Sequence, residues 1–329
     1  MSSAFSRRTF IAGTMGASAL GAYAAAQPFG DVVDENPFAR LEKLGENIWA
    51  VVSTPLLPDG SFNPDGVATL CNGGIIAGKD RVVAVDGFFR PEGSAWLAAQ
   101  AERLTGRPVT DVIVTHFHAD HTGGLAGFQR GAEGPDIIAT ETTHNLIFER
   151  YGKPTPVDGS PFATPSIRPL LPTKIITDET TPLTYDLGGR TLTLHPKSGH
   201  TPSDLAISVD DAPVIFAGDL VWAGIFHNYV DATPGKLRKS AGALLKDKKQ
   251  IIVTGHGYVA KAGDLQNYLG VLDHVEDAAR TAFKDGKSPA DGAADFTLPE
   301  SLGPWVLFNP GYYERAFQAW HRELEIAAK

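Results

Sequence analysis

Thr115-His116-Phe117-His118-Ala119-Asp120-His121-Thr122 is the stretch from which the rest of the chain can be read. It ends a short apolar run, Asp111 to Thr115, with the length and composition of a buried strand. Side chains two apart at a strand end point to one side, so His116 and His118 can grip one metal ion together. Gly123 and Gly124 let the chain turn directly into a helix, which brings Asp120 and His121 to face a second ion beside the first. One loop therefore offers four ligands. Three further turns share this local logic, a ligand type just past a strand: Ser198-Gly199-His200-Thr201-Pro202, Phe216-Ala217-Gly218-Asp219 and Thr254-Gly255-His256-Gly257. Loops at one end of a sheet can converge on one site. His144, His195, His227, His274 and His321 stand alone and read as hydrogen-bonded structural residues.

Working outward, Ile48 to Ser53, Cys71 to Ala77 and Arg81 to Asp86 read as strands, and Pro91 opens a helix pattern to Leu104. Beyond the cluster, Ile137 to Thr140 is a strand, Thr142 to about Tyr151 a helix, and Gly152 to Pro172 a long Pro-rich loop that could form part of a rim. Leu183 to Asp186 and Thr191 to His195 flank a hairpin turn at Leu187-Gly188-Gly189-Arg190, and Asp204 to Val209 and Val214 to Ala217 flank another. Lys236 to Lys249 reads as a solvated helix face, Ile251 to Thr254 as the strand before His256, and the remainder as helical, with a polar break from Asp285 to Pro304. No repeat of fixed period occurs.

The first 26 residues hold Arg7 and Arg8, an apolar and small stretch from Ile11, and Ala24, Ala25 and Ala26 before Gln27. That order resembles a twin-arginine export signal with a bacterial periplasm as destination, leaving residues 27–329 as the mature protein. Its removal takes two arginines and no acid, so 27 basic residues face 38 acidic ones, a net charge near −11. Such a surface argues against a nucleic-acid partner. Past residue 30 no apolar run is long enough to cross a bilayer, and a 43% hydrophobic, 20% charged composition suits a globular core. The single cysteine, Cys71, excludes an internal disulfide and reads as a small buried residue.

From about residue 45 to about residue 275, the order of these motifs resembles the metallo-β-lactamase superfamily. The resemblance implies an α/β fold, the αββα sandwich of two mixed β-sheets face to face with helices outside, here with a C-terminal helical extension over about 276–329. It further implies one metal on His116, His118 and His200, another on Asp120, His121 and His256, and Asp219 bridging. Nitrogen and oxygen ligands suit two zinc ions, with iron or manganese as alternatives. Asp219 is the internal clue to activity: secreted β-lactamases of the superfamily place cysteine there or use no bridging carboxylate, whereas thioesterases, lactonases and phosphodiesterases of the glyoxalase-II-like kind keep the aspartate.

Two adjacent dications lower the pKa of a shared water enough to supply hydroxide at neutral pH, which points to hydrolysis of an ester, thioester or lactone, with Asp120 as the catalytic proton carrier. Other readings are a mononuclear iron sulfur dioxygenase built on His116, His118, His200 and Asp219, a β-lactamase, and a binding protein that kept the fold without the chemistry. Asp86 and Asn72 resemble residues that lie below the metal loop, where a carboxylate holds an imidazole N–H, although Asp86-Gly87 could equally be a simple turn. A small-molecule substrate is expected. Leu56, Leu57 and Phe62 in one loop, and Trp222, Phe226 and Tyr229 after Asp219, either line its mouth or belong to the core.

Overall fold

The computed structural model describes residues 27–131, 134–152 and 170–328; the stretch read from sequence as an export signal and most of the Pro-rich loop lie outside them. An eight-stranded sheet holds β1 (Asp31–Asn36), β2 (Ala39–Gly45), β3 (Ile48–Ser53), β4 (Gly73–Ala77), β5 (Val82–Val85), β6 (Asp111–Ile113), β7 (Asp136–Thr140) and β8 (Lys174–Ile176), in chain order across the sheet. Up to β5 the strands are antiparallel neighbours, and from β5 to β8 they are parallel. Parallel neighbours need a crossover, supplied by helix α1 (Pro91–Thr105) before β6 and, after a short helix α2 (Ala119–Thr122), by α3 (Glu141–Tyr151) before β8. The second sheet holds β9 (Leu183–Asp186), β10 (Thr191–Lys197), β11 (Asp204–Val209), β12 (Val214–Ala223), β13 (Ile251–Gly257) and β14 (Ala260–Lys261), again in sequence order.

The two-residue period of the strands sorts side chains into three layers. Ile48, Ala50 and Val52 of β3 point inward and meet Leu192, Leu194, Ile207 and Phe216 of the second sheet. Trp49 and Val51 point the other way and pack with Leu97 and Ala101 of α1. Behind the second sheet, Ala206, Ile215 and Ala217 pack on the C-terminal helices α5 (Ala262–Lys284) and α7 (Tyr312–Ala327), which the short α6 (Pro289–Ala294) separates in sequence, through Leu265, Tyr268, Phe317 and Trp320. The result is helix, sheet, sheet, helix, with an apolar core between the sheets.

Some expected boundaries move. β1 and β2, absent from the sequence reading, extend the first sheet at its edge; β1 reads Asp-Val-Val-Asp-Glu-Asn, whose acids suit an exposed edge strand and hide any alternation. The helix expected over Lys236 to Lys249 is α4 (Pro234–Gly242), and turns follow it. β12 and β13 run on past Ala217 and Thr254, so Asp219 and His256 sit inside strands. The register of β12 on β13 shifts around Gly218, and such an irregularity re-aims a side chain without ending the strand. Gly218 takes φ +51°, and a Cβ there would meet Thr115.

Candidate metal centre

All seven sequence-predicted side chains converge at one end of the two sheets. His116 and His118 leave β6, Asp120 and His121 ride on α2, His200 lies between β10 and β11, and Asp219 and His256 come from adjacent β12 and β13. His118 Nδ1 lies 3.1 Å from His116 Nε2 and 3.0 Å from His200 Nε2, and Asp219 Oδ2 is 3.1 Å from the latter atom. These four residues place one donor atom each within 4.8 Å of one another, and so do Asp120, His121 and His256. In the second group, His256 Nε2 lies 3.2 Å from Asp120 Oδ2. Asp219 joins the two, with Oδ1 3.1 Å from His121 Nε2 while Oδ2 faces the first group. A Cβ on Gly255 would collide with Asp219 Oδ1, so the neighbouring strand keeps a bare backbone there.

Does this donor set fit a cation? His121 Nε2, Asp219 Oδ1 and His256 Nε2 are buried without a hydrogen-bond partner, their mutual approaches lacking hydrogen-bond alignment. Buried polar atoms rarely stay unpaired, and three in one cluster are what bound cations would satisfy. Charge agrees. Burial and the neighbouring His121 push His116 well below its usual range, so it is a neutral donor. Against burial, Asp219 and Asp120 raise His256 to about 9. Asp219 itself, also against burial, is held well below the carboxylate range by His256, His121 and His200. The centre calls for positive charge between its carboxylates.

The imidazoles are oriented from behind. Asp86 Oδ2 accepts from His121 Nδ1 at 2.8 Å, and the same carboxylate takes the Thr115 backbone N–H at 2.7 Å and hydroxyl at 2.9 Å. Of the two open readings of Asp86, the imidazole-holding one is realised, and Asp86 adopts φ +64° to do it, an unusual conformation for a residue with a Cβ. Asn72 does otherwise: its amide bonds the Ser53 N–H, Thr254 Oγ1 and the Gly257 carbonyl, steadying the strand that carries His256. Cys71 is buried as expected, its thiol donating to the Asp120 carbonyl at 2.9 Å and pushed up to about 12 by burial.

Sequence reasoning missed other partners. Asp231 Oδ2 lies 2.9 Å from His118 Nε2, and its other oxygen accepts from Arg150 at 3.1 Å. His227, expected to be merely structural, lies 3.0 Å from His200 Nδ1. A lone histidine and a loop aspartate carry no local signal; only the fold brings them to the cluster.

A cavity of about 310 Å³ opens above the centre. His118, Asp120, Asp219 and His256 form its floor, with Leu70, Trp222, Ile225, Phe308 and Tyr312 as apolar wall and Arg150 and Asn228 as polar lining. Trp222 is the one member of the expected aromatic trio that lines it, and its ring lies against His256, tilted by 41° with centroids 4.1 Å apart. Phe226 and Tyr229 are buried instead among the C-terminal helices, Phe226 against Tyr313 at 4.7 Å. Pro55 lines the cavity where Leu56 and Leu57 were expected, and Phe62 packs edge-on against Phe308 at 6.4 Å.

Comparison with known proteins agrees with this fold. The family model described as the metallo-beta-lactamase superfamily matches residues 66–256, a span that includes all seven side chains. A metallo-beta-lactamase type 2 of Bacillus sp. (strain 170) is 26% identical over 247 residues, 73% of this chain and 85% of that one. A hydroxyacylglutathione hydrolase of Shewanella sp. (strain ANA-3) is 27% identical over 65% of this chain and 70% of its own length. Among solved structures, a metallo-beta-lactamase from Pontibacter korlensis superposes with a TM-score of 0.56 at 20% identity, over 71% of this chain and 99% of that one. The chain belongs to the metallo-beta-lactamase superfamily and is a metal-dependent hydrolase. Among the described residues no helix is long and apolar enough to cross a membrane.

Proposed function

We propose that the protein is a periplasmic dinuclear zinc hydrolase that cleaves an ester, thioester or lactone carbonyl. The observation that carries this reading is the Asp219 carboxylate, which addresses both groups, Oδ2 toward His200 and Oδ1 toward His121. His116, His118 and His200 would hold one ion, Asp120, His121 and His256 the other, and Asp219 both. Zinc bound there would supply a hydroxide nucleophile at neutral pH and Lewis acidity toward the carbonyl oxygen.

The chain's own residues do the rest. Although burial would raise its carboxyl, His121 and His256 hold Asp120 below the usual range, so it stands ionised, and its place at the cavity floor lets it receive a proton from the nucleophile and return it to the leaving group. Trp222, Ile225, Phe308 and Tyr312 offer an apolar surface for an acyl group and keep water from it, while Asn228 and Arg150 supply hydrogen-bond donors to fix its direction.

An aspartate at position 219 favours a thioester or lactone over a β-lactam, and the hydroxyacylglutathione hydrolases among the relatives make acylglutathiones a natural first probe. The metallo-beta-lactamase relatives make β-lactams the control arm. Metal analysis of purified protein, assayed on thioesters, lactones, phosphodiesters and β-lactams, tests the reading. Two zincs with thioester or lactone turnover are expected. One iron with oxygen consumption would replace it by the sulfur dioxygenase reading.

The export half of the proposal rests on Arg7 and Arg8 followed by the apolar run to Ala26. Replacing both arginines by lysine should hold an active, metal-filled precursor in the cytoplasm with Ala26 still joined to Gln27. A metal-free retained precursor would mean that loading occurs after export.

A further inference from the structure

His200 presents Nε2 to the centre and Nδ1 to His227, whose Nε2 lies 3.0 Å away. The far nitrogen of His227, Nδ1, lies 3.0 Å from the Tyr268 hydroxyl. All three side chains are buried. The three form a chain with two proton directions. A neutral imidazole carries one N–H and one lone pair. If Tyr268 donates to His227 Nδ1, then His227 Nε2–H donates to His200 Nδ1, the proton of His200 sits on Nε2, and that nitrogen has no lone pair for a metal. In the opposite direction His200 Nδ1–H donates to His227 Nε2, His227 Nδ1–H donates to the Tyr268 oxygen, and His200 Nε2 is free to ligate.

We propose that His227 and Tyr268 are positioning residues that hold His200 in its metal-binding tautomer and orientation, Tyr268 acting from a helix outside the family-matched part of the chain. The proposal rests on the metal-centre reading but not on the substrate. Tyr268 lies on α5, so the C-terminal helical layer reaches the centre through this chain, whereas His118 and His121 are oriented by the single carboxylates of Asp231 and Asp86. A neutral two-member chain can act only through which atom donates. Glutamine at 227 can reproduce both contacts, its carbonyl accepting from His200 and its amide donating to Tyr268, whereas leucine reproduces neither.

The test is zinc affinity by competition with a chromophoric chelator, together with the cobalt-substituted absorption spectrum, for wild type, His227→Leu, His227→Gln and Tyr268→Phe. Orienting partners of metal-bound histidines are typically worth about 10- to 100-fold in affinity. His227→Leu is expected to fall in that range, Tyr268→Phe to weaken binding about tenfold, and His227→Gln to stay close to wild type with an unshifted cobalt spectrum. Tyr268→Phe keeps the buried ring, so it covers the case in which His227→Leu fails to fold. Wild-type affinity in Tyr268→Phe, or a glutamine variant as weak as the leucine one, overturns the proposal. A wild-type protein that binds no metal overturns both it and the metal-centre reading.

Discussion

The two ligand groups share Asp219 yet are held differently. In the first group His116, His200 and Asp219 are buried, and each imidazole has a partner on its far nitrogen: Thr115 for His116 at 3.1 Å, Asp231 for His118, His227 for His200. In the second only His121 is fully buried, anchored by Asp86; Asp120 keeps a quarter of its side chain exposed, and His256 leans on the Trp222 ring. An oriented, desolvated donor set loses little freedom on binding, whereas a partly solvated one must still be ordered. On the proposed dinuclear reading the first group would therefore be the tighter site and the second the more labile, which suits the group that also holds Asp120.

Asp219→Ala should erase the comparison. Without the shared carboxylate, metal content is expected to fall below one ion per chain, and losing several kcal/mol of charge stabilisation corresponds to roughly a thousandfold in turnover of whichever carbonyl substrate the wild type accepts. Near-normal metal content by elemental analysis would show that Asp219 does not join the groups.

Asp120→Asn acts on the second group alone. The fold and the first-group ion should persist while turnover drops by at least about a hundredfold, since an amide cannot accept a proton and is a poor ligand. Full activity with normal metal content would remove Asp120 from the mechanism.

A subtler change is Asp86→Asn, where the amide oxygen can still accept from His121 while the NH2 faces the Thr115 backbone N–H, and the full charge beside the His121 imidazole is lost. The second ion should bind about tenfold more weakly and the first unchanged, read from a two-site zinc titration. Equal weakening of both would mean that Asp86 supports the loop as a whole.

The smallest effect is expected away from the donors. Phe308→Ala opens the apolar wall of the cavity without touching either group, so KM for an apolar acyl substrate should rise severalfold with kcat and metal content unchanged. A fall in kcat would show that the wall also positions the reacting carbonyl.

This asymmetry divides what could be read from sequence. The seven donors were legible because each lies in a short motif at a strand end, where residue type and spacing alone state the chemistry. Asp86 was half legible, since a turn and an imidazole anchor look alike until the φ of +64° and the 2.8 Å contact are seen. Asp231, His227 and Tyr268 were not, because their partners are 27 to 113 residues away in sequence or are themselves lone residues. The cavity wall failed for a related reason. Phe226 and Tyr229 follow Asp219 closely in sequence, but the chain turns them into the helical core, and Phe308 and Tyr312 arrive from the C-terminal end instead. In the fold, buried strands with clear alternation were found, and the acidic edge strand β1 was lost for want of an apolar face.

The central claim is that one carboxylate joins a tight and a labile metal site, and staged removal of zinc tests it most directly. Fully loaded protein is dialysed against rising chelator and its zinc counted at each step. The prediction is two ions per chain leaving in two stages, with the ion that survives the first stage equally retained by His256→Ala. One ion per chain at saturation, or the loss of both in a single step unaffected by His256→Ala, would contradict it.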